Sequence, residues 1–419
     1  MTIPSAPLLV LGAGSRHYRE HALRGLAARR LIILVDPAPP AWARPYVQDE
    51  WHVDLTDTES ALAALTQEAR QEGAVGVCTY LEHHVELAAQ LASHLGLPGS
   101  SPSSIASCRD KARTRKLWQE HGVSSAWSVP VDDQEEAVEH ARLLGYPVVV
   151  KPRGLTGGVG VQRADSDTDV RQAYQAAAQE SALGPYARTA PGVLVEEYLD
   201  GEEISVETVV EGDAIHLVAV TRTQLVHGPQ FLTQGHTVDA RDPLLHDPVV
   251  VWTVTQAVQA LGVTRGVLHV ELRLIPHGPA LVEVNATPGS DLIPVLVQLA
   301  TGVDLVAATA DLATGAAPDL TVTRQQSAAV AFLYPASRGR VTAQSATASL
   351  RRQPWLKRLV WTRHLGEIVS APPRATVDDR LAHLVVTGDT PSHCQDRLEE
   401  ALAQISSRVG ATPTANCAP

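Results

Sequence analysis

Apolar runs broken by glycine and proline recur along the chain, and two near the middle carry acids in a fixed phase. Residues 267–275 and 280–284 flank Pro276-His277-Gly278-Pro279. Strand-forming residues around a Pro/Gly turn predict an antiparallel hairpin. Folded symmetrically about His277, it sets Glu271 opposite Glu283. The two-residue side-chain period sends Glu271, Glu283 and Asn285 to one face. Opposed like charges repel across a ladder, so a cation is expected between them. Two carboxylates and an amide, all oxygen donors, suit Mg²⁺ or Mn²⁺ with phosphates and water completing the shell. The alternative is an amphipathic hairpin whose acids face water. Acids set among Val and Leu, with Asn285-Ala286-Thr287-Pro288-Gly289 directly after, favour the metal.

Earlier patterns predict a βαβ start. Residues 7–14 read as a strand running into a glycine turn, 21–29 as helix, and 31–36 as a second buried strand. Gly12, Gly14 and Asp36 supply part of a dinucleotide-binding fingerprint, but Tyr18 and Arg19 stand near its third glycine. A parallel sheet whose first turn needs small residues is the preferred reading. A third strand over 74–79 places Glu82 at the carboxyl end of the sheet, where open α/β sheets hold ligands. Glu82 reads equally as a first-turn acid favouring the dipole of a helix over 85–95. One charged helix is expected over 107–121, carrying Asp110, Lys111, Arg113, Arg115 and Lys116 as a solvated face.

A strand over 146–152 ends in Lys151, and Gly157, Gly158 and Gly160 crowd the loop behind it. Backbone N–H groups of such a loop can reach phosphate oxygens without side-chain obstruction. It is not a P-loop, because the lysine precedes the glycines. Residues 193–207 read as two strands joined at Asp200-Gly201. Acids there can accept from an adenine amine and ribose hydroxyls; an exposed edge strand is the plainer reading.

Composition narrows the class. With 419 residues, 44% hydrophobic and 19% charged, two or three full domains of a soluble globular protein are expected. A net charge of −12 without a basic cluster argues against nucleic acid. No apolar run reaches the length of a membrane span, and the N-terminus lacks signal-peptide character. Cys78, Cys108, Cys394 and Cys417 are scattered, so neither zinc nor a disulfide framework is suggested. A cytoplasmic protein is expected. Lys111, Lys116, Lys151 and Lys357 are its only lysines, which draws notice to each.

The order of pieces is informative: Lys151 at a strand end, a glycine loop, Glu196-Glu197-Tyr198-Leu199-Asp200-Gly201-Glu202-Glu203, then Glu271, Glu283 and Asn285 on a hairpin. It resembles the ATP-grasp superfamily of carboxylate–amine ligases over nearly the whole chain. Gly76-Val77-Cys78-Thr79-Tyr80-Leu81-Glu82, Leu97-Pro98-Gly99, Arg109-Asp110-Lys111, Gly235-His236-Thr237 and Gly289-Ser290-Asp291-Leu292-Ile293-Pro294 look most like the L-amino acid ligase branch, which makes dipeptides. So do Ala331-Phe332-Leu333-Tyr334-Pro335 and residues 381–388.

The resemblance implies an α/β ATP-grasp fold. It would hold an N-terminal parallel-sheet lobe (1–106), a linker helix and small lid (107–192), a large antiparallel lobe with the metals (193–318) and a final subdomain (319–419). It implies ATP and Mg²⁺ or Mn²⁺ as cofactors. Lys111 and Lys151 would meet the phosphates under the loop of Gly157, Gly158 and Gly160. Glu196, Glu197, Leu199 and Glu203 would meet adenine and ribose, and Glu271, Glu283 and Asn285 the metal. Glu82 would approach a substrate amino group, with His236 in the same pocket. The branch places an arginine where this chain has Thr287, leaving Arg273, Arg153 or Arg340 to reach in. Two amino acids joined through an acyl phosphate are the expected substrates, with the α- or γ-carboxylate left open and a homodimer among the possible assemblies. The rivals are an ATP-grasp carboxylase or nucleotide-pathway ligase, and a nucleotide-binding regulator without catalysis.

Overall fold

A computed structural model describes residues 6–183, 190–226, 228 and 230–410; Cys417 lies outside them. The first lobe is a parallel sheet of Leu8–Leu11, Ile32–Val35, Asp49–Trp51 and Gly76–Cys78, with Leu8–Leu11 between the second and fourth strands. Its strands are continuous apolar runs because both faces are covered. Leu8 and Val10 pack on Leu23 and Leu26 of helix Arg16–Ala27. Leu9 and Leu11, pointing the other way, pack on Leu65, Leu87 and Leu91 of helices Thr58–Gln71 and Val85–Leu95. Gly12 has φ +78°, and a Cβ there would meet the His84 ring at 2.7 Å. Asp36 turns inward and accepts from the Ala13 N–H at 2.9 Å. The acid of the partial fingerprint thus holds the glycine turn.

The charged helix expected over 107–121 is two helices, Pro102–Arg109 and Lys111–Glu120, broken at Asp110. Asp110 has extended backbone, and its carboxylate accepts from the N–H groups of Ala112 and Arg113, a good N-cap. The solvated face holds for Arg113 and Lys116, which are exposed, and is corrected for the rest. Arg109, Lys111 and Arg115 are buried, because the break turns this stretch into the cleft between the lobes.

The lid is an antiparallel sheet ordered Ser128–Val131, Val193–Glu197, Val148–Pro152, Gln162–Ala164. Helices Gln134–Leu144 and Asp167–Leu183 flank it, and Val138, Val150, Val170 and Val195 lie in a core of its own. The boundary drawn at 192 therefore falls one strand early, since Val193–Glu197 pairs within the lid.

The large sheet has eight antiparallel strands: Gly278–Asn285, Arg265–Ile275, Glu202–Glu211, Ala214–Leu225, Thr233–Asp239, Ser327–Leu333, Ala382–Gly388 and Leu356–Trp361. Its last three come from the final subdomain. At its other edge stands the expected hairpin, with Glu271 opposite Glu283, reached by two offsetting irregularities. The turn is tighter than a fold about His277, because Ile275 pairs with Gly278. A bulge then skips Val282, pairing Leu272 with Leu281, and restores the symmetry at the acids. Pro279 is tolerated inside a strand because that strand is the sheet edge. No single helix among the described residues is long and apolar enough to cross a membrane.

Candidate active site

Three surfaces meet at the hairpin: the glycine loop of the lid, the start of helix Lys111–Glu120, and the carboxyl end of the N-terminal sheet. Lys111 opens that helix, and its Nζ lies 3.1 Å from Glu283 while donating to the Leu155 carbonyl at 2.5 Å. Asp110, which caps the helix, also pairs with Arg153. The cap thereby ties helix to lid strand and aims Lys111 at the hairpin. Lys151 enters from strand Val148–Pro152, its Nζ 2.5 Å from Glu196, which Arg115 also meets at 3.1 Å. Burial pushes the Lys151 pKa down to about 8; Glu196 pulls it up, while Arg115 and Lys111 push it down further. Gly157, Gly158 and Gly160 all take left-handed φ of +69° to +72°. Side chains are strained there, so the glycines are needed.

Behind the hairpin lies a buried relay that sequence reasoning missed. His269 Nδ1 stands 2.8 Å from Glu207, and its Nε2 stands 3.3 Å from Glu271. Burial would lower the His269 pKa, but the charge of Glu207 outweighs it and raises the pKa well above the usual value. Asn285 Nδ2 lies 3.3 Å from the same Glu271 oxygen. Gly289 closes over the relay; a Cβ there would come within 2.9 Å of His269 Nδ1 and 3.1 Å of Glu207. Period-2 spacing from Glu271 was the available signal for His269.

The donor set fits a hard divalent cation. No cluster of three or more His, Cys, Asp or Glu among the described residues could hold a metal alone. What stands here is two carboxylates and an amide opposite two lysines. That suits a cation taking its remaining ligands from phosphate and water.

At the far side of the cleft Glu82 follows strand Gly76–Cys78 in a short 3-10 turn, Glu82–His84. It accepts from the Thr287 hydroxyl at 2.8 Å and the Ala286 N–H at 3.4 Å, with Arg109 at 3.8 Å. Burial raises its pKa, which Arg109 and Thr287 partly offset. Thr287 thus donates to the acid, and no guanidinium occupies its place. The three proposed replacements are engaged elsewhere: Arg273 with Glu203 at 2.6 Å, Arg153 with Asp110, and Arg340 with the Gly366 carbonyl. Glu203 keeps a raised pKa from burial despite Arg273.

Of the residues expected to meet adenine and ribose, Glu196 is committed to Lys151 and Arg115, whereas Glu197 is exposed and Leu199 buried near Ala126 and Ala280. His236 lies on the large sheet, Nδ1 3.1 Å from the Thr223 hydroxyl and Nε2 3.7 Å from Asp291. Asp291 receives Arg380 of the final subdomain through two bonds of 2.8 Å. Burial would raise the Asp291 pKa, but Arg380 holds it well below the usual carboxylate range.

Three family descriptions match consecutive parts of the chain: the ATP-grasp N-terminal domain at residues 27–99, the ATP-grasp domain at 144–294, and the L-amino acid ligase C-terminal domain 2 at 331–410. The chain belongs to the ATP-grasp family. Within it, the final domain is of the kind described for L-amino acid ligases. The crystal structure of L-amino acid ligase from Bacillus licheniformis superposes with TM-score 0.82 at 20% identity, covering 98% of this chain and 100% of that one, which establishes a shared fold. The uncharacterized protein y4rH of Sinorhizobium fredii is 29% identical over 311 residues, 72% of this chain and 61% of its own length. Carnosine synthase 1 of Mus musculus is 26% identical over 335 residues, 75% of this chain and 40% of its own. The chain thus spans less than two thirds of the length of each of these two relatives.

Proposed function

We propose that this protein is an ATP-dependent ligase joining the carboxylate of one amino acid to the amine of another, with release of ADP and phosphate. The observation that carries the reading is the opposed pair Glu271–Glu283 facing Lys111 and Lys151 under the glycine loop, with Glu82 across the cleft. The lysines and loop N–H groups would neutralise a triphosphate, while Glu271, Glu283 and Asn285 would hold Mg²⁺. A bound Mg²⁺ would supply charge neutralisation at the β- and γ-phosphates.

One substrate carboxylate oxygen attacks the γ-phosphorus and the bond to the β-phosphate oxygen breaks, giving an acyl phosphate and ADP. Lys111 and Lys151 offset the charge that this shifts onto ADP. The amine nitrogen of the second substrate then attacks the acyl carbon, loses a proton, and phosphate leaves. The lid excludes water, which would otherwise hydrolyse the acyl phosphate. Glu82, a half-buried carboxylate, would accept a hydrogen bond from a substrate ammonium group.

The test is ADP release by the purified protein with Mg²⁺ and ATP against amino acids in all pairs, with products read by mass spectrometry. ADP release that depends on two amino acids, with a matching dipeptide mass, is expected. Fragmentation distinguishes α- from γ-linkage. Turnover with bicarbonate alone, or nucleotide binding without turnover, would overturn the reading.

A further inference from the structure

The strand register lines up two rows of side chains on one face of the large sheet. One row runs Glu283, Glu271, Ser205, Thr221 across neighbouring strands, and the row beside it runs Asn285, His269, Glu207. Residues opposite one another on a face are near neighbours, so Glu207 comes close behind the hairpin acids although it is remote from them in sequence. It is fully buried, and its Oε1 gathers His269 Nδ1 at 2.8 Å, the Ser205 hydroxyl at 3.1 Å and the Thr221 hydroxyl at 3.3 Å. The same ring sets Nε2 3.3 Å from Glu271 Oε1. An imidazole with a carboxylate at each nitrogen presents an N–H to both. Gly289 leaves the space that the ring and Glu207 fill.

A buried acid held this closely is a poor source of stability, since desolvation of a buried ion pair offsets much of its attraction. What the arrangement does supply is a fixed direction for Glu271. Asn285 Nδ2 also donates to Glu271 Oε1, at 3.3 Å, so the ring and the amide converge on one oxygen and leave Oε2 open. Glu283 is held differently, by Lys111 from within the cleft at 3.1 Å. The two opposed acids are therefore not equivalent: one is fixed from behind, the other paired from in front.

We propose that His269 is a positioning residue for the metal site: backed by Glu207, it orients Glu271 and leaves that carboxylate's second oxygen for the cation. This rests on the reading of Glu271, Glu283 and Asn285 as holding Mg²⁺, and adds to it a supporting pair that acts through Glu271 rather than on the metal. Groups in such a place fix the orientation of a ligating side chain, and their loss costs metal affinity about 10–100-fold.

The test is calorimetric titration of ADP at graded Mg²⁺, which gives the Mg²⁺ concentration that half-develops ADP binding. It compares wild type with His269→Leu, His269→Asn, His269→Gln and Glu283→Gln, with melting temperature read alongside. Counted along the side chain, the Gln amide nitrogen takes the place of Nε2 and can still meet Glu271. The Asn amide takes the place of Nδ1 and can meet only Glu207. His269→Leu and His269→Asn should raise the half-point about tenfold or more, with ADP affinity recovered at saturating Mg²⁺, whereas His269→Gln should stay within about threefold of wild type. A residue that merely props up the fold would give the reverse order, with Asn better than Gln, or losses that follow the melting temperature and that Mg²⁺ does not recover. Either pattern overturns the proposal. So do half-points within about twofold of wild type in all three His269 variants while Glu283→Gln is shifted. If His269→Leu fails to fold, the order of Gln and Asn decides. An unshifted Glu283→Gln would instead sink the Mg²⁺ reading itself, and the proposal with it.

Discussion

Arg380→Met should be among the most damaging single changes outside the hairpin. The side chain is 1% exposed and donates to both oxygens of Asp291 at 2.8 Å and to the Tyr334 hydroxyl at 2.8 Å. Its guanidinium also lies 3.7 Å from the centre of the Phe332 ring. Met keeps the apolar stem and strands Asp291 with His236 alone, 3.7 Å away. Breaking a buried pair from one side costs about 3–5 kcal/mol, most of it the uncompensated charge. Arg380→Met combined with Asp291→Asn leaves no stranded charge and should recover more than half of that loss. The assay is urea unfolding of wild type, both single variants and the double at neutral pH. Asp291 has a folded pKa below its unfolded one, so the pair's contribution is present above about pH 4 and fades as pH falls through the folded value. Wild type and Arg380→Met should therefore converge in strong acid. A loss under about 1 kcal/mol, or a double variant no better than the single, would refute the reasoning.

Further outcomes are expected at Thr287, Glu283 and Lys151. Thr287→Val removes the 2.8 Å donor to Glu82 at nearly constant volume; a charge-assisted bond of about 1.5–3 kcal/mol predicts a rise in amino-acid KM of tenfold or more with ATP KM unchanged. Glu283→Gln should raise the Mg²⁺ concentration needed for ADP binding and suppress turnover while preserving the fold, since one anionic oxygen is lost from a hard-cation site; unchanged Mg²⁺ dependence counts against the metal assignment. Lys151 titrates at about 8 in the folded protein against 10.5 as the ordinary value, so kcat/KM for ATP should fall above pH 8. Phosphates raise that pKa, so ADP binding about one pH unit above it should take up close to one proton, seen by calorimetry in buffers of different ionisation enthalpy. Folding stability should rise with pH between about 8 and 10.5, because the unfolded chain alone holds that proton there.

What could be read from the sequence was whatever local period dictates. The opposition of Glu271 and Glu283 followed from two strands and a turn, and it survived a wrong turn length because the bulge at Val282 absorbed the extra residue. Helix Val85–Leu95 and the strand ending in Lys151 were legible for the same reason. Asp110 shows the limit: a run of charges looked like one solvated helix, although Asp before Lys-Ala-Arg is also a cap signal. The burial of Arg109, Lys111 and Arg115 could not be seen, because the surfaces covering them are remote in sequence. The pairing of Arg380 with Asp291 spans 89 residues and has no local mark. The substrate side of the cleft was the less legible half because it is built from contacts of this sort.

The continuous eight-stranded sheet governs how the gene could have been assembled and how it can be cut. Strand Ser327–Leu333 pairs from Ser327 to Ala331 with Gly235 to Asp239 of the neighbouring strand, so the ligase-type ending shares a backbone ladder with the large lobe. Leu296 and Val297 pack in one cluster with Val330, Phe332 and Val385. A chain stopped near residue 326 would bare the N–H and C=O groups of Thr233–Asp239 beside that uncovered cluster, an open template for other chains. Such a truncation should be recovered in inclusion bodies rather than as a smaller working enzyme. Exchanging the ending between relatives would have to carry over the strand register and the Asp291 partner together, so recombination at this junction is constrained to compatible pairs.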